Sequence, residues 1–142
     1  MTKLVVDASV AIKWFLPEPL SIEARQILDG YQAGRLSVLA PDLIHAEVGN
    51  IVWKRQVFHG LVAEDAETIV DEFRNMVITV TPAAELLKDA YRLAVSHKRS
   101  VYDSLYVALA VREGCQFVTA DEKLANAIGQ SLPSVKWLAD WR

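Results

Sequence analysis

Residues Ser100–Leu124 read SVYDSLYVALAVREGCQFVTADEKL and contain a helix, a break and a strand in succession. An apolar helical pattern over Leu105–Val111 follows Asp103, and a Gly-Cys pair interrupts that pattern. A short strand pattern then runs into Asp121. This order predicts one acid at the start of a buried helix and a second acid just beyond the carboxyl end of a buried strand.

The first strand pattern shows the same placement of an acid. Asp7 directly follows the apolar run Leu4-Val5-Val6, whose β-branched residues are typical of a buried strand. In an open sheet of parallel strands, ligands bind at the edge where the strands end. We therefore expect Asp7, Asp103 and Asp121 to lie at one edge of the sheet, with the rest of the chain as their scaffold.

Short strand patterns alternate with helical patterns along the whole chain. Among the helical residues, Ile22, Ala24 and Ile27 are predicted to face the core, and Pro41 is predicted to start a helix. This alternation predicts an α/β fold with a mostly parallel sheet covered on both faces. No linker or repeat divides the sequence, so one domain over residues 1–142 is expected. The predicted strands are Lys3–Val6, Ser37–Ala40, Val77–Val80, Gln116–Thr119 and Val135–Leu138.

The composition is that of a globular chain without a membrane segment. Hydrophobic residues make up 52% of the 142 residues and charged residues 23%, which excludes a disordered chain. The net charge of −3 argues against binding nucleic acid by bulk electrostatics, although it allows a local basic rim. No apolar run approaches the ~18 residues that span a bilayer, and the single cysteine, Cys115, suits a reducing compartment. A cytoplasmic protein is expected.

The three aspartates have a structural explanation that competes with a functional one. Aspartate is among the best helix N-caps, and Asp7, Asp103 and Asp121 each stand at a predicted helix entrance. Ser100 and Asp103 even have the spacing of a capping box. Their shared position at one edge of one parallel sheet favours a common site over three separate caps.

Glu47 cannot be a cap, because it lies well past the first turn of its predicted helix. Its helical neighbours are largely apolar, and a buried, unpaired carboxylate there would be costly, so it is either paired, turned to solvent or part of a site. Four acids in one cleft would raise one another's pKa values unless cations neutralised them, and Mg²⁺ or Mn²⁺ suits such oxygen ligands. Ser9 and Thr119 stand close enough to Asp7 and Asp121 in sequence to orient water or ligands.

A short basic cluster precedes Asp103. Lys98 and Arg99 are either a solvated helix end or contacts to phosphate groups of a ligand beside the predicted site. Their position beside an acid of the predicted site favours a role in substrate binding.

Four pieces of the sequence occur together in an order known from one family: VVDAS at Val5–Ser9, the helical acid Glu47, YDSLYVALA at Tyr102–Ala110 and VTADEKL at Val118–Leu124. In these pieces and their separations the chain resembles the PIN-domain ribonucleases, and more closely the VapC-like toxins of bacterial and archaeal toxin–antitoxin pairs. The resemblance covers almost the whole length. It implies a PIN-like three-layer α/β/α fold with a short, mostly parallel sheet.

The resemblance also implies a function. The activity would be Mg²⁺- or Mn²⁺-dependent endonucleolytic cleavage of RNA. The partners would be a second copy of the chain, in a homodimer, and a small VapB-like antitoxin that silences the toxin in a hetero-oligomer. The acidic metal-binding and catalytic set that the resemblance implies is Asp7, Glu47, Asp103 and Asp121, with Ser9 and Thr119 beside them.

Two other classes of function are compatible with the same residues. A Mg²⁺-dependent phosphatase or phospho-acceptor domain would also place aspartates at strand ends, with Asp7 as the nucleophile. In a non-catalytic interaction module, the aspartates would be caps and Glu47 would be paired on the surface.

Overall fold

The structure is a computed structural model that describes residues 1–141. Within them, five strands form one parallel sheet in the order β3-β2-β1-β4-β5, and helices connect the strands. Short 3₁₀ segments cover Ile12–Trp14 and Leu138–Asp140. The strands are β1 Thr2–Val6, β2 Leu36–Pro41, β3 Thr79–Thr81, β4 Gln116–Thr119 and β5 Val135–Trp137. The helices are α1 Ala8–Ala11, α2 Ser21–Gln32, α3 Leu43–His59, α4 Ala63–Asn75, α5 Ala83–His97, α6 Val101–Glu113 and α7 Glu122–Gly129.

The order of the strands reverses between β1 and β4. The chain runs outward from β1 through β2 to β3, then crosses back to β4 and continues outward to β5 on the other side. By the right-handed rule for crossovers between parallel strands, the helices between β1 and β3 are expected on one face of the sheet and those between β3 and β4 on the other. In such sheets the crevice at the carboxyl ends of the two strands flanking the reversal is where ligands bind.

One continuous core joins the sheet to helix α6 and to buried side chains of α2, α3 and α4, such as Ile27, Ile44 and Phe73. Residues Leu4–Val6 of β1 are buried, and so is every residue of α6 from Ser104 to Ala110, because α6 packs across β1, β2 and β4. This burial on all sides explains why the α6 sequence is apolar without a polar face. Among the described residues, none of the helices is both long and apolar enough to cross a bilayer.

The predicted α/β fold is confirmed, with local errors, among them Leu138, which begins a 3₁₀ segment and does not end β5. Ile22 of α2 was predicted to face the core but is 76% exposed, while Ala24 and Ile27 of the same helix are buried. Pro41 ends β2 and does not start α3, because the backbone pairing with β3 continues to this residue. The third strand starts at Thr79, two residues later than predicted, since the Val77 N–H donates to the Tyr31 hydroxyl at 2.7 Å and not to a neighbouring strand.

Candidate active site

The four acids predicted from the sequence line one pocket at the reversal of strand order. The pocket has a volume of about 250 Å³. Its walls come from the ends of β1 and β4 and from helices α1, α3 and α6. None of the lining residues in the described chain is cationic. The lining residues are Asp7, Ala8, Ser9, Glu47, Asn50, Ile51, Asp103, Tyr106 and Asp121.

Asp7 is held by two hydroxyl groups at the floor of the pocket. The Ser9 hydroxyl donates to Asp7 Oδ1 at 2.5 Å, and the Thr119 hydroxyl donates to Asp7 Oδ2 at 2.6 Å. The sheet explains the second contact, because the parallel register pairs Val6 with Val118 and so brings the next residue of each strand side by side. The two residues predicted to stand beside the acids therefore fix both oxygens of Asp7.

The same hydroxyls also hold the backbone that leads to Asp121. Ser9 Oγ accepts a hydrogen bond from the Ala120 N–H at 3.0 Å, and Thr119 Oγ1 accepts one from the Asp121 N–H at 3.1 Å. Asp121 in turn caps α7, since its Oδ1 accepts from the Leu124 N–H at 3.1 Å. Asp121 is thus both a helix cap and a pocket residue, and the two explanations offered by the sequence are compatible at this position.

Asp103 is not the N-cap of α6, although the helix-cap explanation of the aspartates predicts that it is. Ser100 is the N-cap, and its Oγ accepts a hydrogen bond from the Asp103 N–H at 3.1 Å. Asp103 is the third residue of the helix, so its half-buried carboxylate lines the pocket without serving as the N-cap. The Ser100 half of the predicted capping box is therefore present, whereas the explanation of Asp103 as an N-cap is wrong.

Glu47 reaches the pocket from α3 and meets a residue that the sequence analysis left in the core. The Tyr106 hydroxyl donates a hydrogen bond to Glu47 Oε1. Tyr106 was assigned only to the apolar pattern of α6, although a phenol buried in such a pattern requires a hydrogen-bond partner. That requirement was the signal available in the sequence. Asn50, three residues after Glu47 on α3, is a further wall residue that the sequence analysis did not identify.

Burial and neighbouring negative charges raise the pKa values of the carboxylates in the pocket. Burial raises the pKa of Asp7 to about 6, and the charge of Glu47 adds to this, while the bonds from Ser9 and Thr119 lower it by less. Burial likewise raises the pKa of Glu47 against the lowering effect of the Tyr106 bond, and the charge of Asp103 raises it further. These acids are unpaired and repel one another.

Asp103 has a raised pKa for similar reasons. Burial is the main cause, the charge of Asp121 adds to it, and the Ser100 hydroxyl and the charge of Arg99 lower it. Burial and the bond to Glu47 also raise the pKa of Tyr106 far above its ordinary value, so its hydroxyl keeps its proton and remains a donor.

The donor set suits a hard divalent cation in an open, hydrated site. Among residues 1–141, no three side chains of His, Cys, Asp or Glu form a ready-made metal cage. Mg²⁺ does not require one, because it keeps several water ligands and binds through one or two carboxylates. The carboxylates repel one another, and no cationic side chain lines the pocket to offset their charge. A bound divalent cation would neutralise that charge.

The two basic residues predicted to contact substrate lie at the α5–α6 turn. Arg99 donates to the Lys123 carbonyl at 2.9 Å, which ties this turn to the start of α7. Its charge also acts on Asp103. Lys98 ends α5 with a positive φ of 54° and is exposed. Both residues are thus close in sequence to the acidic pocket and outside its lining.

Comparison with known proteins identifies the family. The model described as the PIN domain matches residues 4–129. The chain belongs to the PIN-domain family. Ribonuclease VapC3 of Pyrobaculum aerophilum is 40% identical over 127 residues, which are 87% of this chain and 93% of that protein. The VapC ribonuclease Mb0985 of Mycobacterium bovis is 31% identical over 123 residues, or 87% of this chain and 89% of that protein.

A solved structure agrees with this assignment. The crystal structure of PAE2754 from Pyrobaculum aerophilum matches with a TM-score of 0.66 at 23% identity, over 89% of this chain and 79% of that chain. This likeness shows the fold. The predicted family, the PIN fold and a metal-dependent nuclease of the VapC type are therefore confirmed.

Proposed function

We propose that this chain is the endoribonuclease toxin of a toxin–antitoxin pair, with one PIN domain over residues 1–142 and RNA as its substrate. The observation that carries the proposal is the meeting of four carboxylates in one pocket, from four separate parts of the chain. They lie at the reversal of strand order, where the fold itself creates a binding crevice. The VapC ribonucleases that the chain resembles support the same function.

The acids would hold Mg²⁺ or Mn²⁺, whose preferred ligands are carboxylate oxygens and water. When bound, the ion would supply positive charge to the scissile phosphodiester and make water a better nucleophile. The ligands we assign are Asp7, Glu47, Asp103 and Asp121.

The remaining residues orient the acids and the substrate. Ser9 and Thr119 fix the two oxygens of Asp7, so this carboxylate need not be ordered again when a ligand arrives. We assign Lys98 and Arg99 to contacts with the RNA backbone, because cationic side chains beside an acidic pocket offset the repulsion between its carboxylates and phosphate.

The partner we assign is a small VapB-like antitoxin, and the groove between α3 and α4 is the surface that fits it. This groove has a volume of about 470 Å³ and includes Trp53, which is 51% exposed, with Glu67 and Asp71 on its wall. A groove that combines an exposed tryptophan with acidic walls fits an amphipathic segment that carries basic residues. The homodimer stays a prediction, which light scattering on the chain alone and on the co-expressed pair would test.

The activity is tested with Asp103→Asn, since Asp103 has no capping role that would confuse the result. Purified wild type should cut single-stranded RNA in Mg²⁺ or Mn²⁺ and stop in EDTA. Asp103→Asn should lose about a hundredfold or more in rate, because a charged ligand is lost from the site. The exposed Asp29 of α2 provides the matched control, and Asp29→Asn should cut at the wild-type rate.

The outcomes separate the alternatives. Cleavage by Asp103→Asn at the wild-type rate would overturn the assignment of this acid. A phosphoryl group trapped on Asp7 would favour the phospho-acceptor alternative. Complete indifference of the wild type to metal and RNA would favour a non-catalytic module, although Glu47, which bonds Tyr106 inside the pocket, is not paired on the surface as that alternative requires.

A further inference from the structure

Tyr106 is a buried residue with its polar end in the acidic pocket. Its side chain is 2% exposed, and its ring stacks on Phe117 with centroids 5.7 Å apart and planes at 15°. Phe117 lies on β4, in the centre of the core. The ring of Tyr106 is therefore fixed by packing from the sheet, and only its hydroxyl contacts the site.

The partner of that hydroxyl is Glu47, the one glutamate among the four acids. Asp7 and Asp121 accept hydrogen bonds from neighbouring hydroxyl or backbone groups. Glu47 has a longer side chain on α3, and its bond from Tyr106 is the one side-chain hydrogen bond that it makes within residues 1–141. Without this bond the carboxylate would be free to change rotamer at the mouth of the pocket.

We propose that Tyr106 is a positioning residue that holds Glu47 in the orientation needed to bind the divalent cation. The phenol engages Oε1 and leaves Oε2 available to the ion. Helix α6 then has two roles in the site, since it carries Asp103 and, one turn later, the group that orients the acid of α3. The inference rests on the proposed function, because it assigns Glu47 to the cation.

The test is the affinity for Mn²⁺, measured by calorimetry and by electron paramagnetic resonance of the free ion. Tyr106→Phe should bind Mn²⁺ about tenfold more weakly, the usual loss when the partner that orients a metal ligand is removed. Phenylalanine keeps the ring on Phe117, so the metal-free variant should fold and show a near-native melting temperature. Tyr102→Phe is the matched control, because Tyr102 lies on the same helix, is 64% exposed and should bind as wild type does.

A second variant distinguishes positioning from a general loosening of the fold. On a Glu47→Gln background, Tyr106→Phe should cause no further loss of affinity, because the acid through which it acts is already gone. An equal tenfold loss on both backgrounds would overturn the inference. The inference would also be overturned if Tyr106→Phe bound Mn²⁺ as tightly as wild type while Glu47→Gln bound it weakly. The proposed function would stand in that case. Failure of the wild type itself to bind Mn²⁺ would overturn both.

Discussion

Asp7 is predicted to make the metal-free protein less stable as the pH rises. Burial lifts the pKa of Asp7 from 3.8 to about 6, so between these values the folded state holds a proton that the unfolded chain has released. The free energy of unfolding therefore falls as the pH rises through this window and levels off above about pH 6. A pKa change of this size corresponds to roughly 3 kcal/mol in the free energy of unfolding.

The variant Asp7→Asn should remove this loss, because its amide is neutral at every pH and has nearly the shape of the protonated acid. In EDTA we expect it to match wild type near about pH 4 and to exceed it by roughly 3 kcal/mol at about pH 7. Urea unfolding at intervals across this range measures the difference. A difference that does not change with pH would refute the reasoning that burial disfavours the charge of Asp7. Millimolar Mn²⁺ should stabilise wild type more than the variant.

Two further changes test the stability of the scaffold. Ser100→Ala removes the N-cap of α6, whose Oγ accepts a hydrogen bond from the Asp103 N–H at 3.1 Å. The variant should lose about 1 kcal/mol of unfolding free energy and melt at a lower temperature. An unchanged melting temperature would mean that the cap is dispensable. Glu18→Gln removes the carboxylate that pairs with Arg55 and, at 2.9 Å, with the buried Lys13, so the ammonium is left buried and unpaired. We expect a loss of roughly 3 kcal/mol or more in urea unfolding, and a wild-type midpoint would contradict it.

The acids could be predicted from the sequence because each stands where one element ends and the next begins. Asp7 and Asp121 follow short apolar runs, and the rule that parallel strands end at one edge then places them together. Glu47 was recognisable by the cost of burying it on an apolar face. The structure agrees with this reasoning, since all of them line one pocket.

What the sequence could not provide depends on contacts between distant elements. The bond between Tyr106 and Glu47 joins two helices whose rotation about their axes is fixed only by packing. Ile22 fits a helical apolar pattern, yet α2 contacts the core through Ala24 and Ile27 and leaves Ile22 in solvent. The start of β3 depends on the Tyr31 hydroxyl, which takes up the N–H of Val77 before the strand begins. Hydrophobic periodicity carries no information on any of these.

The hydrogen bonds among Asp7, Ser9 and Thr119 have a consequence for the order of synthesis. They join the first strand to one made more than a hundred residues later, and β1 has no neighbour on that side until β4 exists. A growing chain therefore carries Asp7 and Ser9 long before Thr119, the second group that fixes Asp7, since loops of this length close only after both ends are made. Most of the nascent toxin therefore leaves the ribosome before its active site can form.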